Sequence, residues 1–409
     1  MAMRQRTTGL VALGVGVFSL VIAVLLRFYA VPALEVVPKD YWTHYTATGT
    51  GTVLDTRDGS TKTDAQLTQD ITIKGNLSSQ DKPSNSVVWD YASELSFATS
   101  SPCVTSGTSF IGNQCPVSIS NESVALDDHT AAVKAWHGDK VDDGPTQAGV
   151  AQTHPVGSYI SKFPFEMSKN DYPLWDGISG TAPPAHYAGT TKIDGLTVWK
   201  YVQTIGSASA PVHIYDEPKL PASLVGDLAV TGKNPPIYEV STTTAYIDPI
   251  SGIPVAGDQQ VKVTAGSLDG TETNRLTLLD ADLKLDAIQV TDDNDVPKFD
   301  AGNKPVMTGP GGYTTQSVHD AKRADRILLI KNTLPLIGLI LGLLLLALGV
   351  FLTLRSAAAE SGPALPAGDP GSTPPTAAEE KAAEEQKEAR EAAEAPTRTI
   401  PTVEEKQTE

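Results

Sequence analysis

The sequence predicts a mainly β fold: an elongated barrel-like or sandwich domain with one or two helices, flanked by two transmembrane helices. Three observations carry this. Two uncharged apolar runs, Thr7 to Leu26 and Leu334 to Leu354, are each long enough as helices to cross a bilayer core of about 30 Å. Between them the chain is rich in Thr, Val and Ser, and Gly, Asp, Asn and Pro recur about every 8–12 residues, the spacing of short strands joined by turns. Several segments of that stretch alternate apolar with polar residues, the period of a half-buried strand.

Residues 1–6 carry Arg4 and Arg6, which favour retention of a short N-terminus in the cytoplasm. Residues 7–28 are read as the first transmembrane helix, built of Val, Leu, Ala and Gly with Phe18. A cleaved signal peptide is the rival, but its apolar region normally spans only about 7–15 residues. Pro32 also crowds any small-residue cleavage site at Ala30, so an uncleaved anchor is expected.

Residues 35–313 form the β-rich domain, expected on the exterior side. Candidate strands are Thr46–Leu54, Gln69–Lys74, Ser86–Trp89, Leu196–Thr204, Tyr238–Ile247, Val261–Ala265 and Asn274–Leu279. The dipeptides Asp58-Gly59, Asp194-Gly195, Ser251-Gly252 and Asp269-Gly270 supply turns. A helix is expected from Asp127, whose carboxylate can cap, to Trp136, ahead of Gly138. A large sheet must also manage its edges, by closing into a barrel or stacking as a sandwich. Cys103 and Cys115, the only cysteines, lie close together and without CxxC or histidine companions, so a local disulfide is expected if the domain is exported.

Residues 314–333 follow Gly311-Gly312 as a helical stalk, free to run into the second span, residues 334–354. Pro335 then falls in the first turn of that span, where a missing N–H is tolerated. Gly338 and Gly342 give a small-xxx-small spacing that allows close helix packing, although glycine is common in membrane helices generally. Lys322, Arg323, Arg326 and Lys331 precede the second span on the side expected to be exterior. Long domains translocate largely regardless of charge, so the first span sets the orientation and both termini are expected in the cytoplasm. Residues 355–409 form an acidic Ala/Glu/Pro/Gly-rich tail, expected to be an unstructured tether with at most a short charged helix.

The net charge of −17 excludes nucleic acid as a partner, since phosphate binding needs clustered Lys and Arg. There is no HExxH, GxSxG, Walker loop or CxxC, so no enzymatic activity and no cofactor or metal is expected. The seven histidines, His44, His129, His137, His154, His186, His213 and His319, lack zinc-site spacing. His137 lies near Asp139 at a predicted helix end, where such residues usually cap or face water. Asp292, Asp293, Asn294 and Asp295 could hold calcium, but the run lacks the glycine of an EF-hand loop and a solvated turn is preferred. A central aromatic stretch is either ordinary core or the wall or rim of a lipid pocket. Its candidate pocket residues are Phe163, Phe165, Tyr172, Trp175, Tyr187 and Trp199.

Four segments, RFYAVPALEVVPKD after the first span, FPFEMSKNDYPLWD, IDGLTVWKY and YIDPISGIPV, precede the second span in this order. In this arrangement the chain resembles an actinobacterial envelope family of two-span membrane proteins labelled the porin PorA family, which includes LmcA-like lipoglycan-maturation proteins. The resemblance extends nearly to Arg355. It implies an elongated barrel-like exterior domain with cavities suited to lipid, and a part in lipoglycan or cell-envelope biogenesis. Membrane lipid or phosphoglycolipid, the bilayer itself and envelope-biosynthesis proteins are then the expected partners. It offers no catalytic residues. The word porin sits poorly with two helical spans, because a water-filled channel needs a closed lipid-facing barrel or several helices around a pore. A scaffold for envelope-assembly enzymes and an oligomeric pore remain the alternatives to lipid binding.

Overall fold

The structure, a computed structural model of the 409-residue chain, describes residues 2–30, 33, 35–55, 59–98, 116–142, 153–214, 235–266, 275–291 and 296–360. Two compact units divide it, Val11–Leu348 and the paired ends Met1–Leu10 with Gly349–Glu409. The cysteine pair, the Asp292–Asp295 run, the Asp269-Gly270 turn and the tail from 361 onward lie outside the described residues.

The described chain is mainly β. After α1 (Ala2–Leu25) and a π-helical turn (Leu26–Ala30) come β1 (Trp42–Asp55), β2 (Ser60–Gly75), β3 (Ser86–Phe97), β4 (Pro116–Asp127), β5 (Lys140–Asp142) and β6 (Tyr172–Pro173). β7 (Pro184–Ile193), β8 (Leu196–Ile205), β9 (Val212–His213), β10 (Ile237–Ile247), β11 (Pro254–Ala265), β12 (Leu276–Ile288) and α2 (Gly312–Glu360) follow. All twelve strands join one antiparallel sheet, ordered β5-β4-β3-β2-β1-β12-β11-β10-β8-β7-β6, with β9 on β10. Every expected strand lies within or overlaps an observed one. Asp194-Gly195 makes the two-residue β7–β8 turn with both residues at positive φ (46° and 80°), the conformation that hairpin twist demands.

β1 pairs with β12, so the chain enters and leaves the sheet on neighbouring strands and both flanking helices emerge at one end. Inward residues of adjacent strands, among them Ala47, Leu67, Leu95, Ile237, Val261 and Leu283, form the largest core cluster. A second cluster gathers Ile73, Val87, Trp89, Val124 and Leu126. Each such large side chain contributes about 1.5–3 kcal/mol when fully buried.

The sheet is not closed, and β5 and β6 are its edges. Irregular chain bridges the gap: Val133 pairs with Leu126 of β4, its N–H donates to Ser158 O (2.8 Å), and Tyr159 N–H donates to Pro173 O of β6 (2.8 Å). The edge problem is thus met by covering segments rather than by a last strand pairing.

Asp127 to Trp136 is not the helix its residues suggested. The Asp127 carboxylate does accept the N–H groups of His129 (3.1 Å) and Thr130 (2.8 Å), as a cap would. Ala131 then takes φ 62° and the chain reverses, so that Lys134 N–H donates to Ala125 O (2.8 Å). Burial of Ala131 and Val133 against Val124 and Leu126 outweighs the local helix preference.

Two helical stretches are long and apolar enough to cross a membrane: Thr7–Ala30, from α1 through the π-helical turn, and Thr333–Arg355 within α2. The stalk and the second span are one continuous helix. Pro335 is therefore interior to α2 and not in a first turn, and its ring removes the backbone bond to the Lys331 carbonyl. Gly338 and Gly342 face the first span: a Cβ on Gly342 would lie 2.8 Å from Leu20 Cγ and 3.0 Å from Gly16 O. Gly16 is the reciprocal small residue, 3.0 Å from Gly342 O by the same measure. In the other unit Gly9 likewise abuts Gly349 O. Gly342→Leu is expected to force the helices apart at a cost of about 1–3 kcal/mol. An unchanged midpoint in detergent-driven unfolding would show that this contact contributes nothing.

Candidate functional site

The four segments that carry the family resemblance, far apart in the chain, meet around the first half of α2. The β10–β11 turn, from YIDPISGIPV, is tied by Asp248 Oδ2, which accepts from Ser251 N–H (2.7 Å) and Ser251 Oγ (2.6 Å). Across it lies FPFEM: Phe163 N–H donates to Gly252 O (3.0 Å), Glu166 N–H to Ile250 O (2.8 Å) and Met167 N–H to Pro249 O (2.7 Å). Gly252 has φ 70°, and a Cβ there would strike the Phe163 and Pro164 carbonyl oxygens, so this approach requires glycine.

α2 docks on this platform along one face. Tyr313 Oη donates to Pro254 O (3.2 Å), while Val318 and Ala321 pack with Leu196, Val198 and Val255. Lys322 Nζ donates to Asp194 O in the IDG turn (2.6 Å). Lys331 Nζ reaches Glu35 Oε1 (2.7 Å), from the segment after the first span, and Glu166 Oε2 (2.8 Å). Burial opposes charge on Lys331, but hydrogen bonds to Glu166 and Glu35 and their charge outweigh it and raise its pKa. Of the four basic residues before the span, Lys322 and Lys331 therefore serve to dock the helix, and the Arg326 side chain lies outside the described residues.

Two titratable groups sit inside the joint. Lys162 Nζ bonds Ser251 O (2.5 Å) and Phe163 O (3.0 Å) and lies 3.8 Å from the Phe165 ring centre. Burial depresses it to about 7 against the opposing pull of Asp248. Asp325 of α2 faces Asp248, and burial together with that neighbouring carboxyl lifts it to about 6.

The six aromatic candidates separate. Phe163 and Tyr172 are buried in one cluster with Tyr201 and Ile247, where Tyr172 meets Phe163 and Tyr201 edge-on at 5.7 and 5.6 Å. Phe165 lies under Lys162. Trp175 instead joins a buried polar group, donating from Nε1 to Glu122 Oε2 (3.2 Å) and lying 4.8 Å from the His154 ring. Tyr187 and Trp199 are half-buried partners, 5.8 Å apart, with Lys169 Nζ over both rings. Phe163 and Tyr172 thus pack ring against ring in the core, and Tyr187 and Trp199 form a half-buried pair beside it.

Asp139 sits not with the adjacent His137 but with His154, whose Nδ1 is 2.8 Å from Asp139 Oδ1 and whose Nε2 is 3.0 Å from Glu122 Oε2. No local signal in the sequence links these three.

None of the six aromatics lines either of two open clefts found near the junction. One, of about 300 Å³, lies along Thr308 to Gln316. The other, of about 260 Å³, opens where the helices leave the junction: Ala23, Val24, Arg27 and Phe28 of the first span face Lys331, Pro335, Leu336 and Leu339 of the second. Its wall is apolar, with two cations at the end nearest the β domain.

A family model described as Porin PorA matches residues 8–351, which include the whole sheet and most of both apolar helical stretches. No curated protein matches the chain.

Proposed function

This chain belongs to the porin PorA family of membrane proteins, and from that premise we propose that it is a non-enzymatic envelope protein that holds and presents an anionic lipid or phosphoglycolipid where its β domain meets the bilayer. The domain stands on the exterior face with both termini in the cytoplasm, and the lipid serves lipoglycan or envelope biogenesis. One observation carries this reading: the cleft between the two apolar helices offers an apolar wall for an acyl chain and Arg27 at headgroup level, beside Lys331, whose charge Glu35 and Glu166 already balance. The lipid is placed there and not inside the sheet, whose core clusters are filled by Leu, Val, Ile and aromatic side chains.

The test is organic extraction and mass spectrometry of the purified full-length protein, with Arg27→Gln beside it. A basic residue at the membrane surface is worth about 1 kcal/mol, so Arg27→Gln is expected to retain about fivefold less anionic lipid. Wild-type protein that carries no lipid and takes up none from vesicles would refute the reading. The family's description favours a second reading, an oligomeric pore. Steady conductance in planar bilayers from lipid-free protein would support the pore over lipid presentation.

A further inference from the structure

A second polar group, away from the junction, lies within the sheet. Glu239 of β10 is fully buried, and Asp176, just beyond β6, is buried beside it. Strand alternation puts Ser241 on the same face of β10 as Glu239, and Ser241 is buried too. Asp176 Oδ2 is held by Ser179 N–H (2.7 Å) and Ser179 Oγ (2.7 Å), in a turn closed by the Asp176–Thr181 bridge. Both Glu239 carboxyl oxygens and Ser241 Oγ are buried and lack a partner of hydrogen-bond geometry among the described residues.

Orphaned oxygens of this kind are costly. A buried unpartnered polar group costs about 1–3 kcal/mol, and two ionised carboxyls cannot share a dry site without a counter-charge. A proton is one remedy, and burial with the nearby Asp176 does lift Glu239 to about 9. The Asp176 and Ser241 side chains approach the Glu239 carboxyl closely enough to contribute to that shift, yet neither carboxyl oxygen reaches the full hydrogen-bond geometry that a shared proton would be expected to enforce.

We propose that Asp176, Glu239 and Ser241 form a buried calcium site that ties the 176–181 turn to β10. The chemistry selects the ion. The donors are all oxygen, which suits a hard cation and not zinc or copper. Two carboxylates balance a divalent charge. Calcium accepts irregular shells of six to eight oxygens, whereas magnesium demands a near-ideal octahedron. Two carboxylates and one hydroxyl leave the rest of such a shell to backbone and water oxygens.

Full-length protein in detergent, dialysed to equilibrium against calcium at neutral pH, is expected to bind one ion per chain in this site. Calcium should also raise the midpoint of thermal unfolding by about 5 °C over chelator. Glu239→Gln and Asp176→Asn should abolish both effects, and Ser241→Ala should weaken binding about tenfold. Asp292→Asn with Asp293→Asn, in the other acidic run, should leave them intact. Wild-type protein that binds no calcium overturns the proposal, as does an ion lost from the Asp292/Asp293 variant but kept by Glu239→Gln. A Glu239→Gln protein as stable as wild type with calcium, and unaffected by it, assigns the pair to a shared proton. If the carboxyl variants do not fold, wild-type stoichiometry and the Ser241→Ala affinity decide.

Discussion

Gly252→Ala is expected to destabilise the protein by about 3 kcal/mol or more, while Gly311→Ala, at nearly the same backbone angle, costs only about 1 kcal/mol. The two glycines share the left-handed region, with φ 70° and 74°, so the conformational penalty is common to both. They differ in surroundings. A Cβ at Gly311 meets nothing within 4 Å, whereas one at Gly252 drives into the backbone carbonyls of Phe163 and Pro164. Backbone cannot rotate aside as a side chain can. Relief requires lifting FPFEM off the turn, with loss of the bonds from Phe163, Glu166 and Met167 and of the Lys162 contact to Ser251 O. Since Glu166 is a partner of Lys331, the docking of α2 loosens as well. Denaturant melts of the two variants check this, and equal midpoints would mean that the junction is not rigid.

His154→Ala is expected to cost about 3–5 kcal/mol, because it leaves Glu122 and Asp139 as buried carboxylates without their counter-charge. The same group predicts a pH dependence. Burial alone would push His154 down, but hydrogen bonds to Asp139 and Glu122 and the charge of both outweigh it and hold the imidazolium up to about 9. A folded value above the unfolded one, about 6.5, means that folding takes up a proton. The stabilisation is therefore fully present below about pH 6.5 and is lost as pH rises through about 9, on the order of 3 kcal/mol in all. Melts between pH 6 and 10 should show this decline in wild type and a flatter profile in His154→Gln. The loss would open the sheet where its edges are bridged, since Glu122 lies on β4 and Trp175, another of its donors, follows β6.

How much was legible in the residues follows from how local each cause is. The two long apolar helices were, because hydropathy over about 20 consecutive residues decides them. So was the Asp194-Gly195 hairpin, whose turn chemistry lies in two residues. β4 was not: Pro116–Asp127 reads PVSISNESVALD, too polar in its first half to announce a strand, and its pairing with β3 is what holds it. The expected helix after it had real capping chemistry at Asp127 but lost to pairing with β4. Among the aromatics, residue type showed that the stretch packs, and only the fold separates Trp175, beside a histidine, from Phe163 in the core. The helix contact was half visible, in Gly338 and Gly342, while Gly16 carried no matching spacing. The ion group of Glu122, Asp139 and His154 and the docking of Lys331 join residues that no local pattern connects.

The proposed function requires the β domain and the helix ends to lie on opposite sides of the membrane. The direct measurement is limited proteolysis of intact, wall-stripped cells expressing the full chain with a tag at each end. Cleavage between residues 35 and 313, with both tags protected until the membrane is dissolved, is the predicted result. A domain that survives while the end tags are removed would contradict it.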